Sequence, residues 1–538
     1  MMKISMKFSV LLMSVVFLVA CGERKRLVDI GNEKQILYIA NGADPADIDP
    51  QITTGSVEHR IEGALFEPLL TKNLTTLEIE PALAESWTVS EDGLVYEFKI
   101  RDNAVWSNGD NLIAEDFVQS WRRVLSAKLG SEWATYLYVL KNGEAYHTGK
   151  IKDFSEVGVE AVSEKVLRVT LSGPTPYFLQ LLDHNCMYPV HIKTILKHGE
   201  FDERSTPWTR PENFVGSGPF VPVEWVPNKV FVMAKNPLYW NHERIKLSEV
   251  HVFPVEGTLA MERMYRAGQL HMVEKLPPAK IASYKNDPAL HSFPLYGTYF
   301  YRFNTTVKPL NDVRVRQALS YAIDRGQITK TISRGGEPIM RSLVPITPAY
   351  QPIYQLPEDI ALAQKLLAEA GFPEGKGFPK LTLTYNTLDE HQKIAVAIQQ
   401  MWKKNLGIDI HLQNQEWKVF LANQHQMNYE ISRASWIGDY VDPNTFLEIF
   451  IASSGNNETG WSSAEYDDLI RAASLEKDLD ARVKIMQEAE KILMTELPIM
   501  PIYGYSWNRL VSPSVKNWQD NVQDYFSFTD VYLVQDEK

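Results

Sequence analysis

A chain of 538 residues is too long for one small core, and roughly two to four lobes are expected. With 44% hydrophobic and 23% charged residues it has the composition of an ordinary globular protein. A net charge of −12, with no concentrated basic patch, speaks against a nucleic-acid partner.

In chain order, the first signal is N-terminal. Lys3 and Lys7 precede an apolar run from Phe8 to Ala20 that is too short to span a bilayer, the pattern of a secretory signal over residues 1–20. Leu18-Val19-Ala20-Cys21-Gly22 resembles the bacterial lipobox. That implies lipidation of Cys21, with a diacylated sulfur (palmitate-type chains) and an acylated amine. Each buried CH₂ adds about 0.8 kcal/mol, so several chains anchor durably. Residues 21–35, including the basic stretch GERKR, are expected to form the anchor and tether. No later run approaches spanning length, so the remainder is expected outside the cytoplasm, in a periplasm or at a cell surface. Cys186, in LLDHNCMYPV, is the only other cysteine. An intramolecular disulfide is therefore impossible once Cys21 is lipidated, and Cys186 reads as a small buried apolar residue.

From Ile36 onward, short β-like runs (QILYIA, LVYEFKI, VLRVTL, KVFVMA, LTLTYN, IDIHL) are interspersed with amphipathic helices. Ala114 to Leu125 places Phe117, Val118, Trp121 and Val124 on one face. Leu362 to Ala370 ends at Gly371, and Ile394 to Trp402 continues to Leu406 with Gly407 as a stop. The class is α/β. Stretches around 205–220 and 371–379 read as surface loops.

Enzyme motifs are missing. There is no G-x-S-x-G, no H-E-x-x-H, no G-x-x-x-x-G-K-[ST] and no Cys–His cluster of zinc spacing. Gly216-Ser217-Gly218-Pro219 precedes a strand-like run and lacks a third glycine, so it is no phosphate cradle. Asp439 and Asp442 form an Asp pair of the kind a hydrolase uses, but with 67 acidic residues such neighbours arise by coincidence. No catalytic residue, metal or cofactor is expected. By contrast 24 Tyr, 22 Phe and 13 Trp are often interleaved with polar residues, as in SEWATYLYVL (131–140), GTYFYRFN (297–304) and PIYGYSWNRL (501–510). Half-buried strands explain most of these rings, and a recognition cleft explains the remainder.

Several segments carry a family likeness: YEFKIRDNAVWSNGDNLIAEDFVQSWRRV (96–124), NPLYW (236–240), NDVRVRQALSYAIDR (311–325), NQEWKVFL (414–421) and RASWIGDYVDPNTF (433–446). With these landmarks in order, the mature chain resembles the oligopeptide-binding proteins of bacterial ABC transporters, the family 5 extracellular solute-binding proteins. The resemblance implies two hinged α/β lobes with an additional third domain. Carried over, lobe I comprises 28–66, 194–296 and 507–538, the extra domain II 67–193, and lobe III 297–506. It further implies short peptides as ligand, a membrane permease as partner and a monomeric protein.

The resemblance also implies a site. Within Trp436-Ile437-Gly438-Asp439-Tyr440, Asp439 takes the ligand's α-ammonium, a charge-assisted bond that every unmodified peptide can make. Thr54-Gly55-Ser56 and Ser435-Trp436-Ile437 pair with the ligand backbone as with an added strand. Arg433 takes the C-terminal carboxylate, and His391 matches a second position that serves longer ligands. Tyr136, Trp417 and Tyr505 match aromatic pocket positions. The chain departs from the enteric pattern at Gly297 and Ile437, where a disulfide is missing, and at Ser333 and Gln424, where two basic positions are lost. Alternatives are a specialist for murein peptides, dipeptides, haem or nickel chelates, or a lipoprotein hydrolase using Asp439 and Asp442. The Asp-Tyr pair favours ligands with a free amine.

Overall fold

The computed structural model describes residues 25–347, 349–476 and 478–535. Cys21 and the signal segment lie outside the described residues.

A ten-stranded mixed sheet organises the molecule. Its strands run in the order His411–Gln415, Thr382–Asn386, Ile431–Ile437, Leu290–Phe303, Ile499–Val511, Met272–Val273, Ile36–Ala40, Glu249–Phe253, Val230–Lys235 and Phe220–Val226. The two long members, Leu290–Phe303 and Ile499–Val511, are antiparallel and shift register between Pro294 and Thr298. Each is long enough to serve both halves of the sheet, and Ile499–Val511 links three buried cores, with Ile499 to Trp507 in the largest and Val511 and Leu510 in the two smaller ones. A separate antiparallel sheet, Ala84–Val89, Val95–Ile100, Val166–Thr170 and Val159–Ser163, carries the segment between them. Among the described residues no helix is long and apolar enough to cross a membrane.

Local sequence explains the elements that frame the cleft. Helix Ala114–Val124 starts where the Asp116 carboxylate accepts from the Ile113 N–H at 2.9 Å, and ends in Arg122 and Arg123. It buries Phe117, Val118, Trp121 and Val124. Helix Asp389–Leu406 stops at Gly407, whose φ of 70° is open to glycine at little cost. Helix Ile360–Glu369 ends beside Gly371, within the exposed loop expected at 371–379.

Three expectations need correction. The stretch 205–220 is not wholly a surface loop, because Phe214 to Phe220 are buried. Gly216 and Gly218 lie so close to the chain at Leu65 that a Cβ would meet Leu65 O at 2.3 Å and Leu65 C at 2.6 Å, respectively. Those glycines are there for close approach. The aromatic run 131–140 is not a strand but a 3₁₀ helix over Ala134–Val139, preceded by Trp133. The IDIHL strand begins late, at His411, because only His411 to Gln415 find parallel partners in Thr382 to Asn386.

Candidate ligand-binding site

A cavity of about 370 Å³ lies between the two ends of the large sheet. Thr54, Gly55 and Ser56 wall it on one side, at the start of helix Ser56–Leu65. Arg433 to Asp439 wall the other, at the end of strand Ile431–Ile437. A Cβ on Gly55 would meet Glu58 Oε2 at 2.1 Å and the Trp417 ring at 2.9 Å, so the chain can pass here only as glycine.

The backbone of that second wall is half-paired. Strand Ile431–Ile437 is antiparallel to Gly297–Phe303, and Gly438 N–H donates to Tyr296 O at 2.7 Å. Antiparallel pairing alternates, so Arg433, Ser435 and Ile437 turn their N–H and C=O groups to the opposite edge. On that edge Thr382–Asn386 reaches only Ile431 and Ser432. Gln424 Nε2 donates to Arg433 O at 2.9 Å. Among the described residues the backbone groups of Ser435 and Ile437 have no partner there, an open strand edge inside a cavity. Gly297 and Ile437 stand directly opposite one another. A Cβ on Gly297 would lie 3.0 Å from Ile437 Cγ1, so the two positions that lack a disulfide are cross-strand neighbours.

Asp439 ends this edge. Tyr136 Oη donates to Oδ2 at 2.5 Å, and His184 Nε2 stands 3.5 Å from Oδ1. The Cys186 N–H donates to His184 Nδ1 at 3.2 Å, which puts the imidazole proton on Nε2, toward Asp439. Burial holds His184 well below its ordinary pKa and therefore neutral. Burial also raises the Asp439 carboxyl to about 6, against the lowering effect of the Tyr136 bond and of the Lys72 charge. Lys72 Nζ bonds the Asp439 backbone O at 2.9 Å and pairs with Asp183 at 3.4 Å. The Asp439 carboxylate thus has a neutral donor in Tyr136, a neutral imidazole beside it and, among the described residues, no cation paired with it, which suits it to an arriving ammonium.

Arg433 is the converse. It is 8% exposed, lies 4.8 Å from the Tyr299 ring and donates to Tyr505 Oη at 2.6 Å. No carboxylate among the described residues pairs with it, and its Nε finds no acceptor. Trp436 Nε1, Trp507 Nε1 and His184 Nε2 are likewise buried without a hydrogen-bond partner, and all line the cavity. These four are donors, while Asn386 Oδ1 and Gln523 Oε1 on the same wall are buried acceptors without a partner, so the wall offers both kinds of group to whatever fills it. His391 also lines the cavity, buried rather than on the surface, with Nδ1 3.3 Å from Tyr299 Oη. Burial, then the charges of Arg433 and Lys275, hold it well below its ordinary pKa. It offers a neutral hydrogen bond, not a cation.

The cavity collects Thr54, Gly55, Ser56, His391, Trp417, Arg433, Ser435, Trp436, Ile437, Asp439 and Tyr505. Tyr136 and Tyr440 stand behind it. Tyr136 acts through its bond to Asp439, while Tyr440 stacks on Tyr177 at 4.6 Å and donates to Glu448 at 2.6 Å. Asp442 is turned away and held bidentately by Arg482 at 2.6 and 2.9 Å, so it makes no pair with Asp439 facing the cavity. Ser333 is buried outside the cavity wall, donating to Glu337. Sequence reasoning missed Lys72, Trp133, His184 and Trp507; only the aromatic density around 131–140 and 501–510 hinted at two of them.

Residues 78–458 match the model for bacterial extracellular solute-binding proteins, family 5. The chain is 35% identical over 486 residues to the oligopeptide-binding protein OppA of Bacillus subtilis, covering 88% of each chain. A periplasmic oligopeptide-binding protein (OppAIV) from Borrelia burgdorferi superposes with a TM-score of 0.88 at 35% identity, over 93% of this chain and 100% of that one. The murein tripeptide binding protein MppA of Escherichia coli gives 0.89 at 35% identity, over 93% and 99%. Its unliganded open form gives only 0.61 over 93% and 98%. One relative thus fits well in one arrangement and poorly in its open one, as expected for lobes that move as bodies. The chain belongs to the family 5 bacterial extracellular solute-binding proteins.

Proposed function

We propose that this protein captures short peptides with a free N-terminus and delivers them to the membrane permease of an ABC transporter. The observation that carries this reading is the pair of unneutralised charges, the partly buried Asp439 and the buried Arg433, at opposite ends of one unpaired strand edge. An extended zwitterion satisfies all three features at once: ammonium on Asp439, carboxylate toward Arg433, and backbone on Ser435 and Ile437. Backbone pairing is independent of ligand sequence, which suits a carrier of varied peptides.

Thr54 to Ser56 approach the same ligand from the other wall, and Trp417, Trp436 and Tyr505 supply contact area for its side chains. The reading is of a monomeric binding protein without catalytic residues or cofactor. An acylated Cys21 would tether it outside the cytoplasm, with residues 21–35 as the leash. Native mass spectrometry after incubation with a peptide mixture tests the function. Retained intact peptides of a few residues are expected; cleaved products, or no peptide retained at all, would overturn it.

A further inference from the structure

The charged groups that line the cavity are nearly all neutralised within the protein. Arg60 pairs with Glu274 at 2.8 Å and with Asp524 at 3.2 Å. Lys72 pairs with Asp183 at 3.4 Å, Lys275 with Glu390 at 2.6 Å, and Arg302 with Glu458. Three wall residues are left without an opposite charge among the described residues: Asp439, Arg433 and Glu256. A zwitterionic peptide accounts for the first two and leaves the third.

Glu256 lies in the loop between strand Glu249–Phe253 and helix Thr258–Arg266 and lines the same cavity as the open strand edge. It is half-buried, and its carboxylate accepts no hydrogen bond from any described residue. Burial, and then the nearby Glu416 carboxylate, hold its pKa above the ordinary value. The next residue, Trp417, lines the cavity as do Thr258 and Met261, so the surroundings offer apolar and aromatic surface and the Glu256 carboxylate, with that of Glu416 nearby. Aliphatic stem and cationic head together match that surface.

We infer that Glu256 selects peptides carrying a lysine or arginine side chain, by supplying the counter-charge for it in the closed cleft. The inference rests on the peptide-binding reading above and adds the class of side chain preferred. Since Glu256 belongs to the lobe opposite Asp439, the preference is imposed when the cleft closes, after the ends and backbone have been engaged.

Calorimetry on the purified protein, freed of co-purified ligand, tests this with tri- and tetraalanine carrying lysine, norleucine or glutamate at each position in turn. Norleucine keeps the lysine stem without the charge. At one position lysine is expected to bind about fivefold more tightly than norleucine, the upper range for a partly solvated ion pair, and glutamate more weakly than either. Glu256→Gln is expected to bring the lysine-to-norleucine ratio to about one, a readout that a general loss of folding does not move. Absence of a lysine preference at every position, or a preference that survives Glu256→Gln, overturns the inference while leaving peptide binding intact. If no peptide of either series binds, the peptide-binding reading itself fails, and this inference with it.

Discussion

Tyr136 Oη donates to Asp439 Oδ2 at 2.5 Å, joining two residues more than 300 positions apart in the chain. Burial raises the Asp439 acid to about 6, and the tyrosine bond opposes that rise. An ammonium binds only the ionised form, so binding below this pKa must expel a proton. Affinity for a free-amine peptide is therefore expected to be greatest near pH 7, to fall by about tenfold per pH unit well below 6, and to decline again as the ligand's own amine loses its proton near about 8. Tyr136→Phe removes a bond that favours the ionised form, so the acid limb moves to higher pH. Titration calorimetry of trialanine from pH 4.5 to 8 reads both effects. A flat profile across that range would exclude Asp439 as the counter-ion.

Arg433 sets the far end. From Arg433 to Asp439 the chain spans at most roughly 20 Å, and an added strand advances about 3.3 Å per residue. Side chains close part of that distance, leaving a gap that three or four ligand residues fill and two do not. A dipeptide seated on Asp439 leaves its carboxylate and the Arg433 guanidinium unpaired, at an expected cost of about 2–5 kcal/mol relative to tri- or tetraalanine. His391, held neutral, does not replace the missing cation. Equal affinity across alanine peptides of two to five residues would remove Arg433 from this role.

How much of this was legible in the sequence depends on what each residue needed. Asp439 and Arg433 were legible only through the family resemblance of RASWIGDYVDPNTF, because on the residues alone an Asp beside aromatic rings reads equally as catalyst or clamp. The helices were readable from their periodic apolar faces. Tyr136 was found only as an aromatic pocket position, since nothing local distinguishes a ring that faces a ligand from one that bonds the residue behind it. Lys72 and His184 carried no signal at all. Their roles come from tertiary neighbours, Asp439 O for one and the Cys186 N–H for the other. The glycines at 216 and 218 looked like a loop because close packing against Leu65 is invisible until the chain is folded.

Cys21→Ser tests the tether. Among the described residues no helix can hold the protein in a bilayer, so the acyl chains would be the whole attachment. The variant is expected to move from the membrane pellet to the soluble fraction with unchanged melting temperature and peptide affinity. A variant that still sediments with membranes after a high-salt wash would show that another segment anchors it.

The same conservative change at two neighbouring aspartates separates a clamp from a brace. Asp439→Asn keeps the shape but leaves the ligand's ammonium facing a neutral amide in a buried site, at an expected loss of about 2–5 kcal/mol in binding. Its cost to the fold should be small or favourable. The folded pKa is raised above the unfolded one, so the ionised carboxylate costs stability above about pH 6, and the amide relieves that cost. Asp442→Asn does the reverse. It breaks the bidentate pair with the buried Arg482 and strands that cation, an expected loss of about 3–5 kcal/mol in stability, with the affinity of the folded protein unchanged. Acetylating the peptide's amine completes the cycle. An N-acetylated peptide binds the wild type poorly and loses little more on Asp439→Asn, so protein charge and ligand charge are strongly coupled. If acetylated and free peptides bind the wild type equally well, the ammonium is not held at Asp439. If both substitutions weaken binding alike, the two aspartates act together, and the separation of roles drawn from their partners is wrong.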